Sequence, residues 1–205
     1  MLDHLATDHA WGDAAASLLA TAADDLDAGT PPAPTLLAYR GEEPVAVVTL
    51  RPFEPGDLLQ ALLEVLALLL PLGVDRLALS VSGRAWSLDD PIPPVTDGAD
   101  LRTRVLLLTF ADAHDRPCHT RVEVHPFEDE GDGWCFGPAL DIDDAGAADA
   151  GLDQALTVLL DGRQELADST DDRAIAAQLG RVLLLGHMLS LSPTTAEHLQ
   201  DLVAG

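Results

Sequence analysis

The side chains able to do chemistry gather between Asp112 and Cys135, where His114, Cys118, His119, His125 and Cys135 stand among Asp112, Asp115 and Glu123. Imidazole nitrogens and thiolates are preferred zinc ligands, and four that converge close a tetrahedral site. His114, Cys118, His119 and Cys135 are the candidate ligands, with Asp112 or Glu123 as general base to a metal-bound water. That set defines a zinc-dependent, hydrolase-like reading. Its spacing matches no standard ligand pair, and strand alternation works against it. Cys118, Thr120, Val122 and Val124 fall on one face of a strand, and His119, Arg121, Glu123 and His125 on the other. Adjacent Cys118 and His119 then point apart. The pattern favours a half-exposed strand with one charged face and a small buried thiol, and it predicts no cofactor.

Other motifs fail on a specific residue. Pro117-Cys118 matches the start of a deaminase Pro-Cys-x-x-Cys ligand pair, but position 121 is Arg and no His-x-Glu precedes it. The run Asp141 to Asp149 places carboxylates at the first, third and ninth positions of a calcium loop and Gly146 at the sixth. Ala145 and Leu152 stand where further ligands are required. Asp25-Leu26-Asp27 ends an Ala-rich helix, whereas a phosphotransferase nucleophile needs the end of a buried strand. Ser80 to Arg84 could hold an anion through Arg84 and backbone donors, or simply form a tight turn. His187, among Leu183, Leu184, Leu185, Met188 and Leu189, reads as a structural histidine. No nucleophile elbow, phosphate loop, zinc-protease motif or Gly-rich dinucleotide turn occurs. The balance leans away from an enzyme.

Acidic side chains number 35 against 11 basic ones, for a formal net charge of −24, and every basic residue is arginine. Binding a phosphate backbone needs clustered cations, so direct nucleic-acid binding is excluded, as is affinity for anionic membranes. A GC-rich genome or a salt-adapted cytosol would produce the same bias. Met1-Leu2-Asp3-His4 carries no basic region ahead of an apolar run, which predicts no signal peptide. The longest apolar stretch, Leu58 to Gly73, is broken by Gln60 and Glu64 and stops at Pro71, short of a bilayer span. The two cysteines suggest no disulfide scaffold. Together these features predict a soluble, cytoplasmic chain.

The elements that must position these residues follow from periodicity. The chain reads as a single domain over 1–205, with an N-terminal helix at about 8–28, an α+β core at about 35–140 and C-terminal helices at about 150–205. Trp11, Ala15, Leu18, Leu19, Ala22 and Leu26 share one helix face, closed by Gly29. Thr35–Arg40 and Val45–Arg51 read as a hairpin. Asp57–Leu70 reads as a helix apolar around most of its circumference, leading to a strand over Arg76–Ser82 that runs parallel to the strand before the helix. Leu88–Asp100 reads as a proline-rich loop. Thr103–Ala111 is a central strand with Leu106, Leu108 and Phe110 on one face, followed by strands Cys118–Pro126 and Trp134–Gly137. One helix carries Leu152, Leu156, Leu159 and Leu160, another runs from Ser169 or Thr170 through Leu191, and a last short one follows Ser192. The expected fold is α+β: a single mixed, mostly antiparallel sheet with helices on both faces, α/β/α sandwich-like, with a helical C-terminal third.

The strongest positive signal concerns association. The helices at Asp57–Leu70 and Asp172–Leu191 carry more apolar surface than one contact face consumes; on the second, the polar line of Ala174, Gln178 and Arg181 leads to Leu185 and Met188, with Leu184 beside them. These three residues are the candidate interface of a homodimer or of a complex with another protein. The leading reading is therefore a non-enzymatic, self-associating interaction protein. The zinc-dependent enzyme is the alternative. A weaker one is an acidic mimic of nucleic acid, which would need its carboxylates set along a surface rather than in loops such as Glu128-Asp129-Glu130.

Overall fold

The computed structural model describes the backbone of residues 3–54, 56–85, 102–114, 118–131, 133–140 and 150–204. The predicted loop at Leu88–Asp100, the turn through Asp115, Arg116 and Pro117, and the acidic run Asp141–Asp149 lie outside these residues. Those described form six helices and a seven-stranded sheet. No helix among them is long and apolar enough to cross a membrane.

Helix α1 (Asp3–Asp27) begins earlier than predicted and buries Trp11, Ala14, Leu18, Ala22 and Leu26, a stripe at helical spacing. Gly29, in the left-handed region, closes it as the sequence predicts. Strands β1 (Thr35–Arg40) and β2 (Glu43–Thr49) form a hairpin across Gly41-Glu42. Ala38 pairs with Ala46 but Tyr39 with Pro44, so Val45 is an extra residue in β2. That bulge explains why neighbours Val45 and Ala46 are both buried in one cluster.

Helix α2 (Leu58–Leu69) leads to β3 (Arg76–Ala85), which pairs along its whole length with β4 (Thr103–Asp112). Strand β5 (His119–Asp129) follows, then β6 (Trp134–Phe136). Helices α3 (Ala150–Asp161), α4 (Arg163–Ser169) and α5 (Asp172–Leu184) precede strand β7 (Met188–Leu191) and helix α6 (Pro193–Ala204).

The strand order is β6-β5-β4-β3-β1-β2-β7. Every neighbouring pair is antiparallel, so the sheet is not mixed as expected. Strands β2 and β3 do run in the same direction, since each is antiparallel to β1. The hairpin partner β1 lies between them, so the helical crossover makes no parallel pairing.

Alternation divides the core in two. Leu36, Ala38, Leu77 and Leu79 join a cluster with α2, α3, α5 and α6. Leu37, Ala78, Leu106, Leu108 and Phe110 join a second with α1. Trp11 and Phe110 meet at 5.0 Å between ring centroids, pinning α1 to the centre of the sheet. Helix α2 is less enclosed than its composition suggests: Ala61, Leu62, Val65, Leu66, Leu68 and Leu69 are buried, while Leu59 and Leu63 remain exposed.

The largest departure lies in the C-terminal third, which is not wholly helical. The helix expected to continue through Leu191 ends at Leu184, and Met188–Leu191 form β7. Gly186 sits at φ +93°. Its N–H donates to Leu183 O, and that of His187 to Val182 O, the paired bonds of a Schellman cap. Beyond the cap, Leu189 and Leu191 pack on the core and Met188 and Ser190 face out, the period of a strand.

The same substitution should therefore act with opposite signs six residues apart. Gly180 is helical and exposed with open space at its Cβ position, so Gly180→Ala is expected to stabilise by about 1 kcal/mol. Gly186→Ala forces an L-residue into the left-handed region and should destabilise by about 1–2 kcal/mol. Urea unfolding of both variants measures the two signs.

Candidate functional site

The structure scatters the predicted zinc ligands. His114 is exposed just after β4, where its N–H donates to Asp112 Oδ1 at 2.8 Å and its Nδ1 lies 3.4 Å from Asp75 Oδ2. Cys118 is buried against the four-helix side of the sheet, and burial, followed by the nearby Asp161, pushes its thiol pKa up. A thiol held protonated is a poor nucleophile. His119 opens β5 opposite Asp112 and is exposed. Cys135 lies exposed on β6 opposite Glu128, at the far end of β5. At about 3.4 Å per residue, the run of β5 between His119 and Glu128 separates the two ends by roughly 30 Å. Asp112 and Glu123 have cationic neighbours: the Arg76 guanidinium lies 2.9 Å from Asp112, and Arg121 lies 2.7 Å from Glu123. Among the described residues, no three His, Cys, Asp or Glu side chains are grouped to hold a metal ion.

The other motifs also find ordinary places. Asp25 accepts from the Ala33 N–H at 2.8 Å, tying the end of α1 to the proline connector. Ser80 to Arg84 is no turn: β3 runs through it to Ala85 in register with β4.

A different group of polar residues does converge. Arg51, just after β2, donates through Nε and Nη2 to the two carboxylate oxygens of Glu64 on α2, each at 2.8 Å. This bidentate fork is the strongest common ion-pair geometry. His187, whose side chain has no solvent exposure, places Nε2 3.0 Å from Glu64 Oε2. Its Nδ1 accepts from the Arg51 backbone N–H at 3.2 Å. A backbone N–H can only donate, so the ring proton belongs on Nε2, where it is donated to Glu64. Gln178 of α5 adds a bond to the Glu64 carbonyl oxygen at 3.0 Å.

Hydrogen bonding from Arg51, and more weakly from His187, outweighs the opposing effect of burial and lowers the Glu64 pKa from its ordinary 4.5 to about 2. Glu64 in turn raises that of Arg51. Neither ring nitrogen of His187 is available to a substrate, since one accepts from backbone and the other donates to Glu64. The network is a clasp: it joins the end of β2, helix α2 and the residue that launches β7.

What the clasp presents is apolar. Leu184 is 89% exposed and Met188 66%, with Leu183 and Leu185 also at the surface. Strand β7 pairs with β2 on one side and ends the sheet on the other. Helix α1 packs on β3, β4 and β6, leaving Val47 of β2 exposed beside this edge. The candidate interface residues Leu184, Leu185 and Met188 thus occupy one short stretch at an open sheet edge. Sequence reasoning missed Arg51, Glu64 and the strand itself. A visible signal was the run from Arg173 to Ala196, the longest stretch of the chain with no Asp or Glu.

Comparison with models of known families, with curated proteins and with solved structures gives no match to this chain.

The lowered Glu64 pKa has a signed consequence. A carboxyl whose folded-state pKa lies below its unfolded value contributes fully above about 4.5 and loses that contribution as pH falls toward about 2. Glu64→Gln should be less stable than the parent at neutral pH, and the difference should shrink across this window. Urea midpoints of both proteins at a series of pH values measure it; a gap that stays constant would show that Glu64 is not held as an ion in the folded state.

Proposed function

We propose that this chain is a non-enzymatic interaction protein of the cytoplasm that works as a homodimer, its two copies meeting at the α5–β7 surface. We read the layering of α1, sheet and remaining helices as α/β/α sandwich-like, a frame that leaves β7 at an open edge. The observation that carries the proposal is the coincidence of three features in one stretch: exposed Leu184 and Met188, an edge strand, and the acid-free run Arg173 to Ala196.

Charge selects the partner and the surface. Two copies at −24 each repel one another over most approaches. Contact is favourable only where carboxylates are absent and apolar area can leave water, and this stretch meets both conditions. An antiparallel pairing of β7 with its own copy about a two-fold axis is self-complementary, as a symmetric dimer requires. It satisfies backbone groups that an edge otherwise leaves to solvent. Leu184 and Met188 then supply buried area, each worth about 1.5–3 kcal/mol when fully covered.

Sedimentation equilibrium tests this directly. The parent should form dimers whose dissociation constant falls as salt rises, because at about 0.15 M ionic strength screening already shortens the repulsion to about 8 Å. Leu184→Glu with Met188→Glu should give monomers with an unchanged far-ultraviolet spectrum. A parent that stays monomeric at every salt concentration would overturn the proposal.

A further inference from the structure

A groove of about 390 Å³ lies between α2 and α3, lined by Leu59, Leu63, Gln154, Ala155, Val158 and Leu159. It arises because different neighbours hold the two helices: α2 packs on α5, and α3 on β4, β5 and α4. Leu62, Val65, Leu66 and Leu69 of α2 and Leu152, Leu156 and Leu160 of α3 are buried in the core. The next positions round each helix are left over. Leu59 and Leu63, one turn apart, are 37% and 43% exposed, and Val158 is 65% exposed. Among the described residues, Gln154 is the only polar one lining the groove. Two ridges of this kind form a furrow that a third helix fills with its own apolar stripe.

Charge decides which helix. Neither α2 nor α3 contains a cation, and their charged residues, Glu64, Asp153 and Asp161, are all acidic. Glu54 and Asp57 are exposed just before α2, and Glu165 and Asp168 are exposed on α4, which follows α3. The flanking arginines are engaged elsewhere. Arg51 forks onto Glu64 and Arg76 lies beside Asp112. Arg163 donates to the carbonyl oxygens of Leu160 and Ala113 at 2.8 and 3.0 Å. A second copy of this chain, at −24, or any acidic helix meets like charge here. A helix whose apolar stripe is flanked by Arg or Lys meets opposite charge as well as apolar surface.

We infer that the α2–α3 groove docks a basic amphipathic helix of another protein. Its apolar stripe seats between Leu63 and Val158, and its cations face the surrounding acidic surface. The inference does not rest on pairing at β7.

Fluorescence anisotropy of labelled peptides with the full chain tests it at about 0.15 M salt, where long-range attraction is screened. The probe is a peptide of Leu and Arg, five turns or about 18 residues long, with its leucines at helical spacing. One control has the same composition with the leucines dispersed around the helix, and another has Glu in place of each Arg. The patterned basic peptide should bind most tightly. Leu63→Gln and Val158→Gln leave the charge unchanged and should each weaken its binding about tenfold. Val158 is largely exposed on its helix, so Val158→Gln should melt like the parent. Absence of binding, equal binding of either control, or unchanged affinity in both variants would overturn the assignment. So would loss of self-association in Val158→Gln, which would give the groove to a second copy.

Discussion

The bidentate pair between Arg51 and Glu64, completed by buried His187, is the interaction on which the C-terminal architecture depends. An ion pair of this kind is weak evidence for stability by itself, because desolvation offsets most of the attraction. Its value here is specificity of position. The Arg51 backbone N–H and the Glu64 carboxylate together require one tautomer and one orientation of His187, and His187 stands between the glycine cap of α5 and the first residue of β7. That anchor adds to the Gly186 cap in directing the chain to a sheet edge at Met188 rather than into one more turn of helix.

The dependence runs outward from there. Gly186 ends the helix, His187 fixes where the chain goes next, and β7 adds to β2 with Leu189 and Leu191 facing the core. The outward residues, with Leu184 at the helix end, are then committed to solvent or to a partner. In a chain of ordinary charge such an edge would invite indiscriminate pairing. In the proposed dimer the surrounding carboxylates would repel most approaches, and the stretch free of them would leave one permitted contact. On that proposal the acidity would shape the specificity of association.

Much of the fold was legible because one face of each element is buried. Leu106, Leu108 and Phe110 alternate as a strand must, Trp11, Leu18, Ala22 and Leu26 recur as a helix must, and both patterns appear in the second core cluster. Leu183 to Leu191 was illegible by the same method, since a stretch apolar at nearly every position satisfies both periods, and only Gly186 told them apart. In the His/Cys cluster, nearness in sequence is not nearness in space. Its residue types were right for zinc, but strand geometry puts Cys135 at the far end of β5 from Cys118 and His119. Arg51, Glu64 and His187 each read as an isolated polar residue because they meet only through tertiary packing.

The central claim, that β7 is an edge completed by a second copy, is tested most directly by amide hydrogen exchange of Met188 to Leu191 as a function of protein concentration. The account predicts that amides pointing away from β2 exchange freely in dilute protein and become protected as concentration rises, while those bonded to β2 stay protected throughout. Exchange at all four residues that is independent of concentration, over a range in which the protein is otherwise folded, would contradict it.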